Sequence, residues 1–129
     1  MKEKKNTAGQ LTKAETQVMK ALWSLPADGA LSAEIMELMP EPKPAPTTLL
    51  TFLKILKDKG FVTSQKEGRG QRFHAEVSRE DYTRTYMKEV KQTFFGGSFT
   101  SLVSFFAKEE KLTDDDINEI LRIIEKKNQ

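Results

Sequence analysis

Three threonines, Thr47, Thr48 and Thr51, open the segment Pro46-Thr-Thr-Leu-Leu-Thr-Phe-Leu-Lys-Ile-Leu-Lys-Asp-Lys-Gly60. Leu49, Phe52, Leu53 and Leu56 recur there at helical spacing and give the segment one oily face. Thr47 and Thr51 form an i, i+4 pair, and Lys54 follows about one turn later. A threonine hydroxyl can bond a phosphate or a base edge, its methyl can meet a thymine methyl, and a lysine at that position reaches a phosphate or a guanine. The plainer reading makes Thr47 a helix cap and Lys54 a solvated lysine. One cap accounts for one threonine and leaves two unexplained.

A second group lies just downstream, in Lys66-Glu-Gly-Arg-Gly-Gln-Arg72. Phe61–Gln65 and Gln71–Val77 read as strands, and Glu67-Gly-Arg-Gly70 joins them in a hairpin. Gly68 and Gly70 are expected to supply the positive φ of a tight turn, which puts Arg69 at its tip. An arginine there can lie against a sugar-phosphate wall or enter a minor groove, where the negative potential is focused. Lys66 and Arg72 flank the tip and are expected to touch phosphates, setting affinity and salt dependence rather than sequence choice. The alternative is an ordinary hairpin with a solvated arginine. A helix carrying threonine and lysine beside a basic two-stranded wing is the arrangement of a winged helix-turn-helix meeting double-stranded DNA.

The remaining elements must hold this pair of features in place. Thr12 with Glu15 makes a capping box, and Ala14, Val18, Ala21, Leu22 and Leu25 continue at helical spacing until Pro26-Ala-Asp-Gly29. Ser32 is expected to cap a second helix with Ile35, Leu38 and Met39 inside and Pro40 as its stop. Pro40, Pro42, Pro44 and Pro46 then form a stiff spacer. Trp23 and His74 read as structural residues. Ser78 caps a helix running to about Phe95, Gly96-Gly97 interrupts it, Ser98 or Thr100 starts a short apolar helix, and Thr113-Asp-Asp-Asp116 opens the last one.

Seven aromatics, Tyr82, Tyr86, Phe94, Phe95, Phe99, Phe105 and Phe106, fall within residues 82–106. A helical tail of this length offers little interior for them. Burial against a second copy is the economical answer, with Leu102, Val103, Ile117, Ile120, Leu121 and Ile124 on the same surface. The competing reading docks the aromatics onto the chain's own winged part. The expected plan is mainly α with a small β-wing: a flexible arm at 1–10, a winged-helix DNA-binding domain at 11–78 and a helical dimerisation domain at 79–129.

Bulk properties agree and exclude other classes. The 129 residues are 37% hydrophobic and 31% charged, as in ordinary globular proteins. There is no cysteine and a single histidine, which removes disulfides, thiolate chemistry and histidine metal clusters, and no cofactor is expected. No nucleophile–base pair or phosphate-cradling loop supports an enzyme. The charged N-terminus lacks an apolar run and no segment has spanning length, so neither a signal peptide nor membrane insertion is expected, and a cytoplasmic location fits. Net charge is only +2, but residues 43–72 hold seven basic and two acidic residues, a local +5, against −1 for residues 79–129. That patch favours nucleic acid over the other use of such folds, a winged-helix module that binds protein.

In order along the chain stand Leu11-Thr-Lys-Ala-Glu15, Val18-Met19, Leu22-Trp23, Thr47-Thr-Leu-Leu-Thr51, Leu53-Lys54, Lys59-Gly60, Lys66-Glu-Gly-Arg69, Val77-Ser-Arg-Glu80, Phe95-Gly-Gly-Ser98, Leu102-Val103 and Phe106. This set resembles the bacterial penicillinase and methicillin-resistance repressors, with copper-responsive repressors as relatives, and the resemblance runs from about residue 11 to the C-terminus. It implies a homodimeric repressor with a winged-helix N-terminal domain, a helical dimerisation domain and an inverted-repeat operator that controls antibiotic-resistance or cell-envelope stress genes. It also implies a link to a membrane sensor-protease pathway. In that pathway the repressor is cut at an Asn-Phe bond within Leu/Met-Val-x-Asn-Phe. The corresponding stretch here is Leu102-Val-Ser-Phe-Phe106, so Phe105 and Phe106 mark the cleavage region and Phe105 stands in the asparagine position. The clustered cysteines of the copper-responsive branch are missing, which excludes copper sensing by that chemistry.

Overall fold

The computed structural model describes residues 10–128. The arm expected at 1–10 lies outside the described residues except for Gln10. Along the chain run α1 (Lys13–Trp23), β1 (Ala30–Leu31), α2 (Ser32–Glu37), α3 (Pro46–Asp58), β2 (Val62–Glu67), β3 (Gly70–Ala75), α4 (Arg79–Phe95), α5 (Phe99–Glu109) and α6 (Asp114–Lys127). They form two compact units that divide between Tyr86 and Met87, inside α4. Among the described residues no helix is long and apolar enough to cross a membrane.

The first unit is a winged helix. α1 starts at the capping box: Thr12 Oγ1 accepts from the Glu15 N–H at 3.1 Å, and the Thr12 N–H donates to Glu15 Oε1 at 3.0 Å. Val18, Met19 and Leu22 line its inner face. β1 runs directly into α2, and this overturns one expectation. Leu31, still extended by pairing with β3, occupies the cap position, and Ser32 is the first helical residue. The Glu34 carboxylate satisfies the Leu31 N–H at 2.8 Å where a serine cap was expected. Leu38 also departs from expectation, at 49% exposed. The buried arc of α2 is centred between Ile35, Met36 and Met39, and Leu38 lies about 100° away from that centre.

The proline-rich connection between α2 and α3 is more than a spacer. Lys43 Nζ donates to the carbonyls of Met36, Glu37 and Met39 at 2.8, 3.1 and 2.9 Å, closing the C-terminal end of α2. Pro46 sits in the first turn of α3, where its missing N–H costs nothing, and Ala45 is the cap. Thr47 therefore does not cap the helix. Leu49, Leu53 and Leu56 are buried with Phe52 partly so, as the periodicity requires. Lys59 ends the helix, and Gly60 (φ 90°) turns the chain into Phe61.

The sheet has the antiparallel order β1-β3-β2. Each wing strand extends further toward the tip than its pattern suggested, so Glu67 pairs with Gly70 and only Gly68-Arg69 remain as the loop. Gly68 alone has positive φ (60°), which corrects the expectation for Gly70. A two-residue loop with glycine at its first position needs it only there. Gly29 (φ 95°) is constrained more tightly: a Cβ would stand 2.8 Å from the Phe73 carbonyl oxygen and from His74 Nε2. His74 is thus packed against the turn that leads into β1.

Ser78 Oγ accepts from the Asp81 N–H at 3.0 Å and starts α4. Its first two turns belong to the winged unit, which runs through Tyr86 instead of ending at residue 78. Tyr82 is the reason. Its hydroxyl accepts from the Leu11 N–H at 3.1 Å, and its ring lies 6.1 Å from Trp23, 5.8 Å from Phe61 and 5.9 Å from Tyr86. Tyr82 was expected against a second copy, and here it completes the core of its own chain. Trp23 Nε1 donates to the Val77 carbonyl at 2.9 Å, in keeping with a structural role.

The second unit holds the rest of α4, then α5 and α6. Gly96 (φ 56°) and Gly97 (φ 81°) end α4, with the Gly97 N–H reaching the Lys91 carbonyl at 2.9 Å. Ser98 caps α5, and Thr113 with Asp116 makes a capping box for α6.

Candidate nucleic-acid interface

The oily side of α3 is fixed in the core, which turns Thr47, Thr51, Lys54 and Asp58 outward at i, i+4, i+7 and i+11. Thr48 is exposed on one flank of this stripe, and Leu50 and Lys57 on the other. The hydroxyls of Thr47 and Thr48 engage no other described residue. Thr51 Oγ1 donates to the Thr47 carbonyl at 3.0 Å, which leaves its lone pairs and methyl facing out. Lys54 meets Asp58 at 3.3 Å with both side chains well exposed. Such a pair contributes little, so its ammonium remains exchangeable with a phosphate.

The wing divides its cations by task. Arg72 is committed inside the protein: Nε and Nη2 donate to the two Glu67 carboxylate oxygens at 2.8 and 3.0 Å, and Nη1 donates to the Gly29 carbonyl at 3.0 Å. The pairing register explains the fork. Arg72 opposes Gln65, so Glu67 is its diagonal neighbour on the same face of the hairpin. The hydrogen bond from Arg72 holds the Glu67 carboxyl below its ordinary range, and the same bond raises the Arg72 guanidinium. Arg69 at the tip and Lys66 on β2 form no ion pair with any other described residue.

Three further lysines of the basic patch have partners within the winged unit. Lys43 closes α2, as described above. Lys59 Nζ donates to Glu15 Oε1 at 2.7 Å, linking the end of α3 to the start of α1. Glu15 is only 5% exposed. Burial alone would raise its carboxyl, but the Lys59 hydrogen bond, the Thr12 N–H and the Lys59 charge outweigh burial and hold it below its ordinary range. Lys57 Nζ donates to Ser64 Oγ at 2.9 Å and ties α3 to the wing. The outward charge therefore rests on Lys54, Lys57, Lys66 and Arg69, a smaller set than the sequence total. Nothing local in the sequence signals a Glu15–Lys59 pair 44 residues apart. The Arg72 fork could have been found from the hairpin register alone.

The second unit exposes apolar surface on a different scale. Phe94 is 73% exposed and Phe99 64%, and Val103, Phe106, Ile117, Ile120, Leu121 and Ile124 are all exposed. Ile123, absent from the expected set, joins them at 59%. Phe99 and Val103 on α5 and Ile120 and Ile124 on α6 line an open groove of about 350 Å³. Leu102 is the exception among the expected surface residues, being buried within the unit. Phe95 is half-buried, its ring 5.6 Å from that of Phe105, which itself lies 5.6 Å from Phe106.

The family model described as penicillinase repressor matches residues 11–126. A penicillinase repressor of Bacillus licheniformis is 29% identical over 116 residues, covering 90% of each chain. The methicillin resistance regulatory proteins MecI of Staphylococcus aureus (strain N315) and of Mammaliicoccus sciuri are each 28% identical over 122 residues, covering 95% of this chain and 98% of the relative. The match takes in both units, the threonine-bearing helix and the wing included. The chain belongs to the penicillinase repressor family: it is a DNA-binding transcriptional repressor built on a winged helix, and it is not an enzyme.

Proposed function

We propose that the chain acts as a homodimer on an inverted-repeat operator. Each protomer lays the N-terminal turns of α3 in a major groove and sets its wing tip on the flanking backbone. Thr47, Thr48, Thr51 and Lys54 contact base edges and nearby phosphates, and Lys66 and Arg69 supply phosphate contacts. Arg72 braces the wing through Glu67 and acts on DNA through that support.

The observation that carries this reading is the outward stripe of α3, hydroxyls first and lysine next, beside a wing whose tip arginine is uncommitted. Dimerisation is supported by the exposed aromatic and isoleucine surface of the second unit, which far exceeds what single scattered apolar residues account for. Two short reading helices also need two half-sites to gain useful affinity. Relatives named for penicillinase repression and methicillin resistance favour target genes for antibiotic resistance or the cell envelope. A membrane sensor-protease pathway is the matching input, with Phe105 and Phe106 marking the segment to watch. Blotting for a shortened chain after exposure of cells to a cell-wall antibiotic tests that input, and an intact chain alongside induced target genes would eliminate cleavage.

Fluorescence anisotropy on duplexes from the region upstream of the chain's own gene, against random-sequence duplexes, tests the core of the proposal. The expected result is preferential binding to one inverted repeat, saturating at two chains per duplex. Replacing Thr48 and Thr51 by alanine should erase most of that preference. Equal binding to every duplex, or an unchanged preference in the double variant, would overturn the assignment of α3.

A further inference from the structure

Leu50 has no part in the core that defines α3. It is 45% exposed, whereas Leu49, Leu53 and Leu56 are each at most 1% exposed. Among the described residues of the winged unit, the only exposed large apolar side chains are Leu38, Leu50 and Tyr86, and Leu50 alone lies on α3. Its place on the helix is specific. Thr47 stands one turn before it, Lys54 one turn after and Lys57 two turns after, so an isobutyl group is set into a hydroxyl and ammonium surface within the first two turns.

We propose that Leu50 is a specificity-determining residue that reads the C5-methyl of a thymine in the major groove. The inference rests on the assignment of α3 as the reading helix. The chemistry is selective because the major-groove edges of the other three bases present hydrogen-bonding groups and no methyl. A leucine in that position gains from covering a methyl and loses when it desolvates a bare donor or acceptor. The N-terminal turns of a recognition helix are the ones that approach base edges, and Leu50 is in them. Lys54 in the stripe beside Leu50, and Lys57 on its flank once it leaves Ser64, can hold the adjoining phosphates and keep the helix at that depth.

The test pairs a deletion on the protein with the matching deletion on the DNA. A preferred duplex is selected from random sequences with the full chain, and each thymine is then replaced singly by deoxyuridine, which removes only the methyl. One thymine per half-site should cost the wild type about fourfold in affinity. Leu50→Ala and Leu50→Gln should be indifferent to that replacement, and Leu50→Met, still apolar, should keep most of the sensitivity. Leu50 is exposed, so the variants should unfold at the wild-type urea midpoint, read from Trp23 fluorescence. If the Ala and Gln variants keep the full wild-type response at every thymine, or if no thymine matters to the wild type, Leu50 does not read a methyl while the operator-binding proposal stands. If no sequence is enriched at all, the base-reading role of α3 falls and this inference falls with it.

Discussion

Lys59→Met isolates the link between α1 and the end of α3. The substitution keeps the aliphatic stem and removes the ammonium that lies 2.7 Å from Glu15 Oε1. Glu15 stays in place, 5% exposed, with Thr12 alone, chiefly its N–H at 3.0 Å, left to answer its charge. Loss of a hydrogen bond to a charged, buried acceptor costs about 1.5–3 kcal/mol, and the partly exposed lysine argues for the lower half of that range. With a urea m-value near 1 kcal/mol/M for a unit of this size, the midpoint should fall by about 1.5–2 M. Trp23, the single tryptophan, is packed in the winged unit and bonded to Val77, so its fluorescence reports the correct transition. Protomer concentration must be held constant, because association also stabilises. The pH dependence adds a second constraint. In the wild type the Glu15 carboxyl titrates below its ordinary value, so the stability from the pair is present at neutral pH and is lost as pH falls through that lowered value. Without Lys59 burial is poorly opposed, the carboxyl rises, and acid relieves the variant sooner than the wild type. The gap between the two proteins should therefore be widest near pH 7 and narrow by about pH 4. A deficit under about 0.5 kcal/mol at pH 7, or the same deficit at both pH values, would refute the reasoning.

Three other perturbations reach different parts of the molecule. Arg69→Ala should lower the slope of log affinity against log salt by about 2 for a dimer, since two phosphate contacts disappear, whereas Arg72→Gln should change that slope less; equal slope changes would mean that Arg72 also contacts phosphate. Gly29→Ala introduces a side chain at φ 95° with its Cβ 2.8 Å from a backbone oxygen, and a loss of at least about 2 kcal/mol in urea unfolding is expected; wild-type stability would show that the turn can rearrange freely. Ile120→Asp combined with Ile124→Asp should yield a monomer in analytical ultracentrifugation and weaken operator binding at least tenfold; a persisting dimer would place the contact elsewhere.

The elements that follow local rules were legible in the sequence. The Thr12 and Thr113 caps, the oily face of α3 and the glycine at the wing tip depend on residues a few positions apart, and the structure places them as the patterns indicate. The two-residue strand Ala30–Leu31 carries no period of its own and exists because β3 offers it an edge, which also explains why Ser32 failed as a cap. Tyr82 was misread for a related reason: an aromatic on a mostly polar helix looks the same whether its partner is another chain or Trp23 and Phe61. Charge was the hardest to read. Lys43, Lys59 and Arg72 count as free cations in any sequence total, yet each is held by a carbonyl or carboxylate in this chain. Thr47, Thr48 and Thr51 could be placed on the exposed side because a helix that hides leucines must show what lies opposite, whereas Leu50, outside the oily face, was given no role from the sequence.

The Glu67–Arg72 fork decides where the entropy of the wing is lost. A two-stranded hairpin projecting from a small domain would ordinarily sample a spread of shapes, and ordering it on DNA would subtract from affinity. Here the carboxylate clamps one strand to the other just behind the tip, and Nη1 of the same arginine ties the wing back to the turn at Gly29. That ordering is completed when the chain folds. On the proposed reading, Arg69 then has only its own side-chain rotamers to settle at a phosphate. On the proposed reading an acidic residue in the wing is no obstacle to DNA, because its charge is answered by Arg72 and the bonds it accepts order the hairpin.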